Sequence, residues 1–174
     1  MPSALVRNAA LTDIPAITRI YAHSVKHGTA WFELEAPDED EMTRRMKTLL
    51  DAAFPYLVAA IEGAIVGYAY AGPYRPRRAY RFSVEDSIYI DPAAQRKGVG
   101  RALLEKLIEE CERRGFRQMI AVIGDSAQTS SIELHRALGF RLIGNIENVG
   151  YKFDRWLDSI LMQRALGPGA TTKP

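Results

Sequence analysis

The chain contains one cysteine, Cys111, which excludes an internal disulfide and leaves no thiolate cluster for a metal. No apolar run reaches the length of a membrane span, and the opening MPSALVRNAA lacks the hydrophobic segment of a secretion signal. Strong charge of either sign is missing too. Lys and Arg number 23 against 21 Asp and Glu, and a net +2 is too small to imply general nucleic-acid binding. There is no internal repeat, no Gly-Lys-Ser/Thr to close a Walker loop, and no third glycine to complete a dinucleotide fingerprint after Gly98 and Gly100. These absences point to a cytoplasmic protein that works without a metal, a membrane or a nucleic acid. With 174 residues, 47% of them hydrophobic and 25% charged, the chain is of a size and composition to form one domain with a real core.

What is present is organised around Asp86–Cys111, DSIYIDPAAQRKGVGRALLEKLIEEC. The first part alternates and is β-branched, so it reads as a strand, and Asp91-Pro92 ends it because proline cannot donate to a sheet ladder. An amphipathic helix follows, with Leu103, Leu104, Leu107, Ile108 and Cys111 on one face. Cys111 on that face reads as core rather than as a nucleophile. Between strand and helix lies Gln95-Arg96-Lys97-Gly98-Val99-Gly100. A strand, a glycine-bearing turn and a helix start make an anion site, because unpaired N–H groups point outward and the helix dipole adds positive potential. The plainer reading, in which the glycines only shape a tight turn, stays open at this point.

The remaining pattern predicts a strand at Ala4–Arg7 and then a helix capped by Thr12, with Ile14, Ile17, Ile20, Tyr21 and Val25 inward. A second helix opens at Asp38 with Met42, Met46, Leu49 and Ala53 inward. Strands follow at Tyr56–Ile61, Ala64–Tyr70 and Ser83–Ile90, then the helix above, a buried strand at Gln118–Ile123 and a helix at Ala127–Leu138. Two last strands, Phe140–Ile146 and Asp154–Gln163, are joined by a connection bearing Asn and Gly. Residues 1–166 are expected to form one α/β domain, a mixed sheet with helices packed on it, and 167–174 a mobile tail rich in Gly and Pro.

QRKGVG, placed between a strand and a helix, resembles the Gln/Arg-x-x-Gly-x-Gly/Ala loop of the GNAT N-acetyltransferase superfamily. LHRALGF resembles that superfamily's helix-to-strand ending. VEDSIYI, AVIG, SIELHRALGF and GYKFDRWLD are more specifically similar to the phosphinothricin and methionine sulfoximine N-acetyltransferases, in the same order over about residues 4–165.

The resemblance implies the GNAT fold, whose mostly antiparallel mixed sheet is splayed at its centre, and acetyl-CoA as co-substrate. Arg96, Lys97, Gly98, Val99, Gly100 and Arg101 would surround the diphosphate, and the main chain of Ile88, Tyr89 and Ile90 would meet the pantetheine arm as a pseudo-strand. An N–H near Ile88 or Tyr89 would polarise the thioester carbonyl. Glu85 matches the family's glutamate base, acting through water, whereas the strand pattern alone reads it as solvent-facing. His135, four residues before Gly139, stands where many members place an acidic tyrosine, and reads as a catalytic group, a cofactor contact or packing. Gln128 replaces the usual asparagine on the pantetheine, with Ser126 or Ser130 as substitutes, and Leu104 replaces a tyrosine of the herbicide-resistance members.

For the acceptor, Arg75 matches an arginine beside the site and would clamp a carboxylate, Phe32 would line the pocket, and Trp31 would pack beside it. Arg77, Arg78 and Arg81 read as solvated charge, and Trp156 as packing. The implied activity is acetyl transfer, by direct attack in a ternary complex, to a small amino acid-like amine of the phosphinothricin, methionine sulfoximine or methionine sulfone type. The implied assembly is a homodimer. A peptide-terminus acetyltransferase and a non-catalytic acyl-CoA-binding module are the competing readings.

Overall fold

The computed structural model of the protein describes residues 4–174. In chain order the elements are β1 (Leu5–Asn8), α1 (Ile14–His27), α2 (Glu39–Asp51), β2 (Tyr56–Ile61), β3 (Ala64–Pro73), β4 (Ser83–Ile90), α3 (Val99–Arg113), β5 (Gln118–Gly124), α4 (Thr129–Ala137), β6 (Arg141–Lys152) and β7 (Arg155–Ala165). The strands form one seven-stranded sheet in the order β1-β2-β3-β4-β5-β7-β6.

All neighbours run antiparallel except β4 and β5, which α3 connects as a crossover. Their pairing is short, from Ser83 opposite Gln118 to Asp86 opposite Ala121. Beyond it β4 stays on β3 as far as Ile90, while β5 stays on β7 as far as Gly124. The two central strands therefore part, and Ser87–Ile90 has no strand partner on one side. This is the splay that the resemblance implies.

Alternation along β4 divides its side chains between two cores. Val84, Ile88 and Ile90 join the cluster beneath α3, where Leu103, Leu104, Leu107 and Cys111 are fully buried. Each of those leucines contributes on the order of 1.5–3 kcal/mol by leaving water. Burial pushes the Cys111 thiol up to about 12, as befits a packing residue. Tyr89 points the other way, into a cluster with α1, α2, Tyr56 and Tyr68.

Several local expectations are corrected. Thr12 does not cap α1: a 3-10 turn, Leu11–Asp13, precedes the helix, and Asp13 accepts from Ala10 N (2.8 Å) and from Arg7. Asp38 does cap α2, accepting from Glu41 N at 2.9 Å. Ala53 lies past α2, exposed at φ 62°, and not on its inward face. β6 runs far past its expected end at Ile146, to Lys152, because Phe153 and Asp154, at φ 52° and 57°, make the whole turn to β7. Neither residue is a glycine or asparagine, so the usual sequence signal is missing. Trp156 is 61% exposed and not a packing residue. In the tail, Gly169 O, Thr172 Oγ1 and Lys173 O accept from Arg117.

Candidate active site

The loop after β4 is built to leave its amides unused. Asp91 holds the start, accepting from Ala93 N (3.0 Å) and from Arg19 on α1 (2.6 Å). Arg96 (φ 60°) and Gly98 (φ 78°) then turn the chain through left-handed conformations into α3. The first bond of the helix is from Ala102 N to Gly98 O (3.0 Å), and no side chain caps its N-terminus. Among the described residues, no backbone N–H from Arg96 to Arg101 donates to a protein acceptor. Gly98 is needed for its φ, since a Cβ there would meet nothing within 4 Å. At Gly100 a Cβ would come 3.3 Å from Leu134 Cδ2 on α4, so that side chain would have to give way slightly. Arg96 and Lys97 are exposed, and Arg101 bonds Glu105 at 2.9 Å.

The unpaired edge of β4 opens beside this loop. Successive main-chain groups alternate sides along a strand. Asp91 N donates to Val66 O on β3 (2.8 Å), and Tyr89 O lies against Gly67 of β3. The N–H groups of Ile88 and Ile90 therefore face the opening, and those of Tyr89 do not. Of the two amides considered for the thioester carbonyl, Ile88 has the right direction and Tyr89 does not.

Glu85 and Asp86 sit where β4 and β5 part, opposite Ile120 and Ala121. They point to opposite faces. Glu85 is half-buried, and among the described residues its carboxylate has no hydrogen-bond partner. Burial raises its pKa, the Asp86 charge raises it further, and Arg75 opposes both. Asp86 is buried against His135, with Oδ2 2.9 Å from Nε2. His135 Nδ1 donates to Ser131 O (2.7 Å), and its ring stands edge-on to Phe140. Burial lowers the His135 pKa, but the Asp86 charge and the hydrogen bonds outweigh it and the result is upward. Neither ring nitrogen is free, because Nδ1 is spent on a carbonyl and Nε2 shares its proton with Asp86.

The segment after α1 runs along the open end of the splay. Trp31 stacks on Tyr89, with centroids 4.6 Å apart. Phe32 fits against two glycines: a Cβ on Gly150 would lie 2.5 Å from its ring and one on Gly124 2.9 Å. It is 40% exposed at the open end of the splay. Glu85 is at the closed end, about 13 Å away as four residues of β5 measure. Arg75 is exposed, lies over the Tyr74 ring (4.4 Å) and is close enough to act on Glu85 electrostatically. Arg77, Arg78 and Arg81 are exposed.

Gln128 donates to Thr29 Oγ1 (3.2 Å), and Thr29 donates to Asp125 (2.5 Å), which also receives Arg155 (2.8 Å). The Gln128 amide N–H is thus turned toward the segment after α1. Ser126 bonds Asp158 (3.0 Å), which leaves Ser130 with its hydroxyl uncommitted among the described residues. The bonds of Asp86 to His135, Thr29 to Asp125 and Lys152 to Val25 were not legible, since each joins segments at least 49 residues apart.

Comparison with known proteins agrees with this geometry. Residues 18–140 match the model of the Acetyltransferase (GNAT) family. The phosphinothricin N-acetyltransferase of Alcaligenes faecalis is 56% identical over 93% of this chain and 82% of its own length. The L-methionine sulfoximine/L-methionine sulfone acetyltransferase of Salmonella typhimurium is 40% identical over 92% of this chain and 94% of its own. The crystal structure of a phosphinothricin acetyltransferase from Sinorhizobium meliloti in complex with AcCoA superposes with a TM-score of 0.96 at 52% identity, covering 98% of this chain and 92% of that one. With its splayed strands, its loop of unspent amides and these relatives in agreement, the chain belongs to the GNAT acetyltransferase family.

Proposed function

We propose that this protein transfers the acetyl group of acetyl-CoA to the amine of a small amino acid-like acceptor such as phosphinothricin, methionine sulfoximine or methionine sulfone. The observation that carries the reading is the run of unspent N–H groups from Arg96 to Arg101 at the start of α3. Those amides suit a diphosphate, and Lys97 and Arg101 add charge. Ile88 and Ile90 offer main chain to the pantetheine, and Ile88 N–H suits the developing oxyanion. The acceptor amine loses a proton through water to Glu85 and attacks the thioester carbonyl. The C–N bond forms, the C–S bond breaks, and the thiolate leaves with the coenzyme. His135 serves as an orienting and charged neighbour, since both its nitrogens are committed. The acid–base steps are carried by side chains and water.

An assay on a panel of amino acids and peptides, following release of the free thiol, tests the reading. Turnover on phosphinothricin or the methionine derivatives is the expected result. Turnover on peptides alone, or cofactor binding with no turnover, would replace it with one of the competing readings. Arg75 clamps the acceptor carboxylate in this reading. Arg75→Ala is expected to raise the acceptor KM about tenfold or more, the worth of a charged hydrogen bond. The same change should leave the KM of a carboxamide analogue near its original value. An equal loss on both acceptors would remove Arg75 from carboxylate recognition.

We further propose a homodimer through β6. It is an edge strand whose outward Leu142, Ile146, Val149 and Tyr151 are each 45–56% exposed, flanked by Phe153 and Trp156. Sedimentation should give twice the chain mass of 19.4 kDa, and a monomer would contradict the assignment. We place the enzyme in the cytoplasm, where acetyl-CoA is drawn on; recovery with membranes would overturn this.

A further inference from the structure

Lys152, the last residue of β6, is only 4% exposed, and among the described residues no carboxylate pairs with it. Its ammonium instead donates to two backbone carbonyls, Val25 O at 2.7 Å and Trp31 O at 2.9 Å. The Phe153 ring lies 5.1 Å from the same ammonium, but burying a cation with no carboxylate partner is costly, so the contact is informative. Burial lowers its pKa, with the Glu33 charge opposing.

The two carbonyls explain the site. Val25 is in the last turn of α1, where carbonyls have no partner further along the helix. The helix does not end in a left-handed glycine motif: Gly28 is extended (φ −106°, ψ 152°), and the last helical bond is from Gly28 N to Ser24 O. A lysine 127 residues away therefore supplies the cap, with a charge that suits the negative end of the dipole. Its second bond holds Trp31 O, just past the exit from the helix. Residues two apart on a strand share a face, so Gly150 and Lys152 act together. Gly150 makes room for the Phe32 ring, and Lys152 holds the carbonyl next to it. Trp31, so fixed, stacks on Tyr89 of β4.

We propose that Lys152 is a positioning residue that clamps the exit of α1 and thereby sets the acceptor wall formed by Trp31 and Phe32. The proposal rests on the reading of that segment as the acceptor wall. Lys152→Met keeps the aliphatic stem and removes all donors, leaving two buried carbonyls unpaired; Lys152→Gln keeps one donor group.

Lys152→Met is expected to raise the acceptor KM about tenfold. Its acetyl-CoA affinity by calorimetry should stay within about twofold, because the loop at Arg96–Arg101 shares no contact with Lys152. Lys152→Gln should fall between. The chain has two tryptophans, so in a Trp156→Phe background the emission reports Trp31 alone, and Lys152→Met should shift it to the red as the ring leaves Tyr89.

An unchanged KM with unchanged emission overturns the proposal. So does an equal loss of acetyl-CoA and acceptor binding in both variants, which would mark Lys152 as a general fold element. Phe32→Ala separates the two layers. If it leaves the acceptor KM unchanged, the acceptor-wall reading fails, while the Trp31 emission still decides whether Lys152 clamps the segment.

Discussion

Replacing Glu85 by glutamine is expected to lower kcat about a hundredfold or more while acetyl-CoA affinity stays within about twofold, the signature of a lost general base. The substitution keeps the size and polarity of a side chain that makes no protein hydrogen bond among the described residues, so nothing else need move. The second test is the pH profile. Burial and the Asp86 charge hold the Glu85 pKa above the ordinary carboxylate value, and Arg75 draws it partly back. A base must be ionised to work, so kcat/KM should rise as pH rises through that elevated value. Arg75→Ala removes the opposing charge and should move the limb to higher pH. A profile whose acidic limb persists unchanged in Glu85→Gln would assign that limb to another group, with the Asp86–His135 pair the nearest. Full turnover in Glu85→Gln would remove this carboxylate from the reaction.

The two carboxylates at the apex show what the sequence made legible and what it did not. Alternation along β4 was enough to send Glu85 and Asp86 to opposite faces and to leave one as the base candidate. It could not say that Asp86 would be spent on His135, because that bond joins β4 to α4 across 49 residues. The register of His135 before Gly139 suggested chemistry, yet the fold commits both its nitrogens. The helices, the central strands and the glycine-bearing turn before α3 were readable because periodicity and glycine spacing are local signals. The last hairpin was not, since its turn, Phe153-Asp154 at positive φ, lacks the glycine or asparagine that usually marks a two-residue turn, while the stretch bearing Asn and Gly lies inside β6. Lys152 shows the same limit. Its sequence neighbours mark it as part of a family-like stretch, but only the tertiary fold brings it to the end of α1.

Replacing Gly98 by valine is expected to weaken acetyl-CoA binding about tenfold to a hundredfold, since holding a β-branched residue in this conformation costs on the order of 1–3 kcal/mol. Relaxation of the exposed loop should keep the loss of Tm to about a few degrees. Gly98 has φ 78° and ψ −1°, and a Cβ there would meet no protein atom within 4 Å. Valine is therefore excluded by conformation, not by its protein neighbours, because a β-branched residue is a poor occupant of the left-handed region. The chain relieves the strain by swinging Gly98 out of that region, which re-aims the N–H groups of Val99, Gly100 and Arg101. Gly98→Asn isolates the cause. Asparagine tolerates this conformation, so it should bind acetyl-CoA nearly as well as glycine if backbone shape is what matters. If Gly98→Asn binds as poorly as Gly98→Val, the cofactor passes over the α-carbon and the space itself is required. Gly100→Val provides the contrast, because its Cβ is directed at Leu134 (3.3 Å) and the loss should appear in Tm. If Gly98→Val bound acetyl-CoA as tightly as the parent, the amides between Arg96 and Arg101 would not be the diphosphate site, and the assignment of this loop would fail.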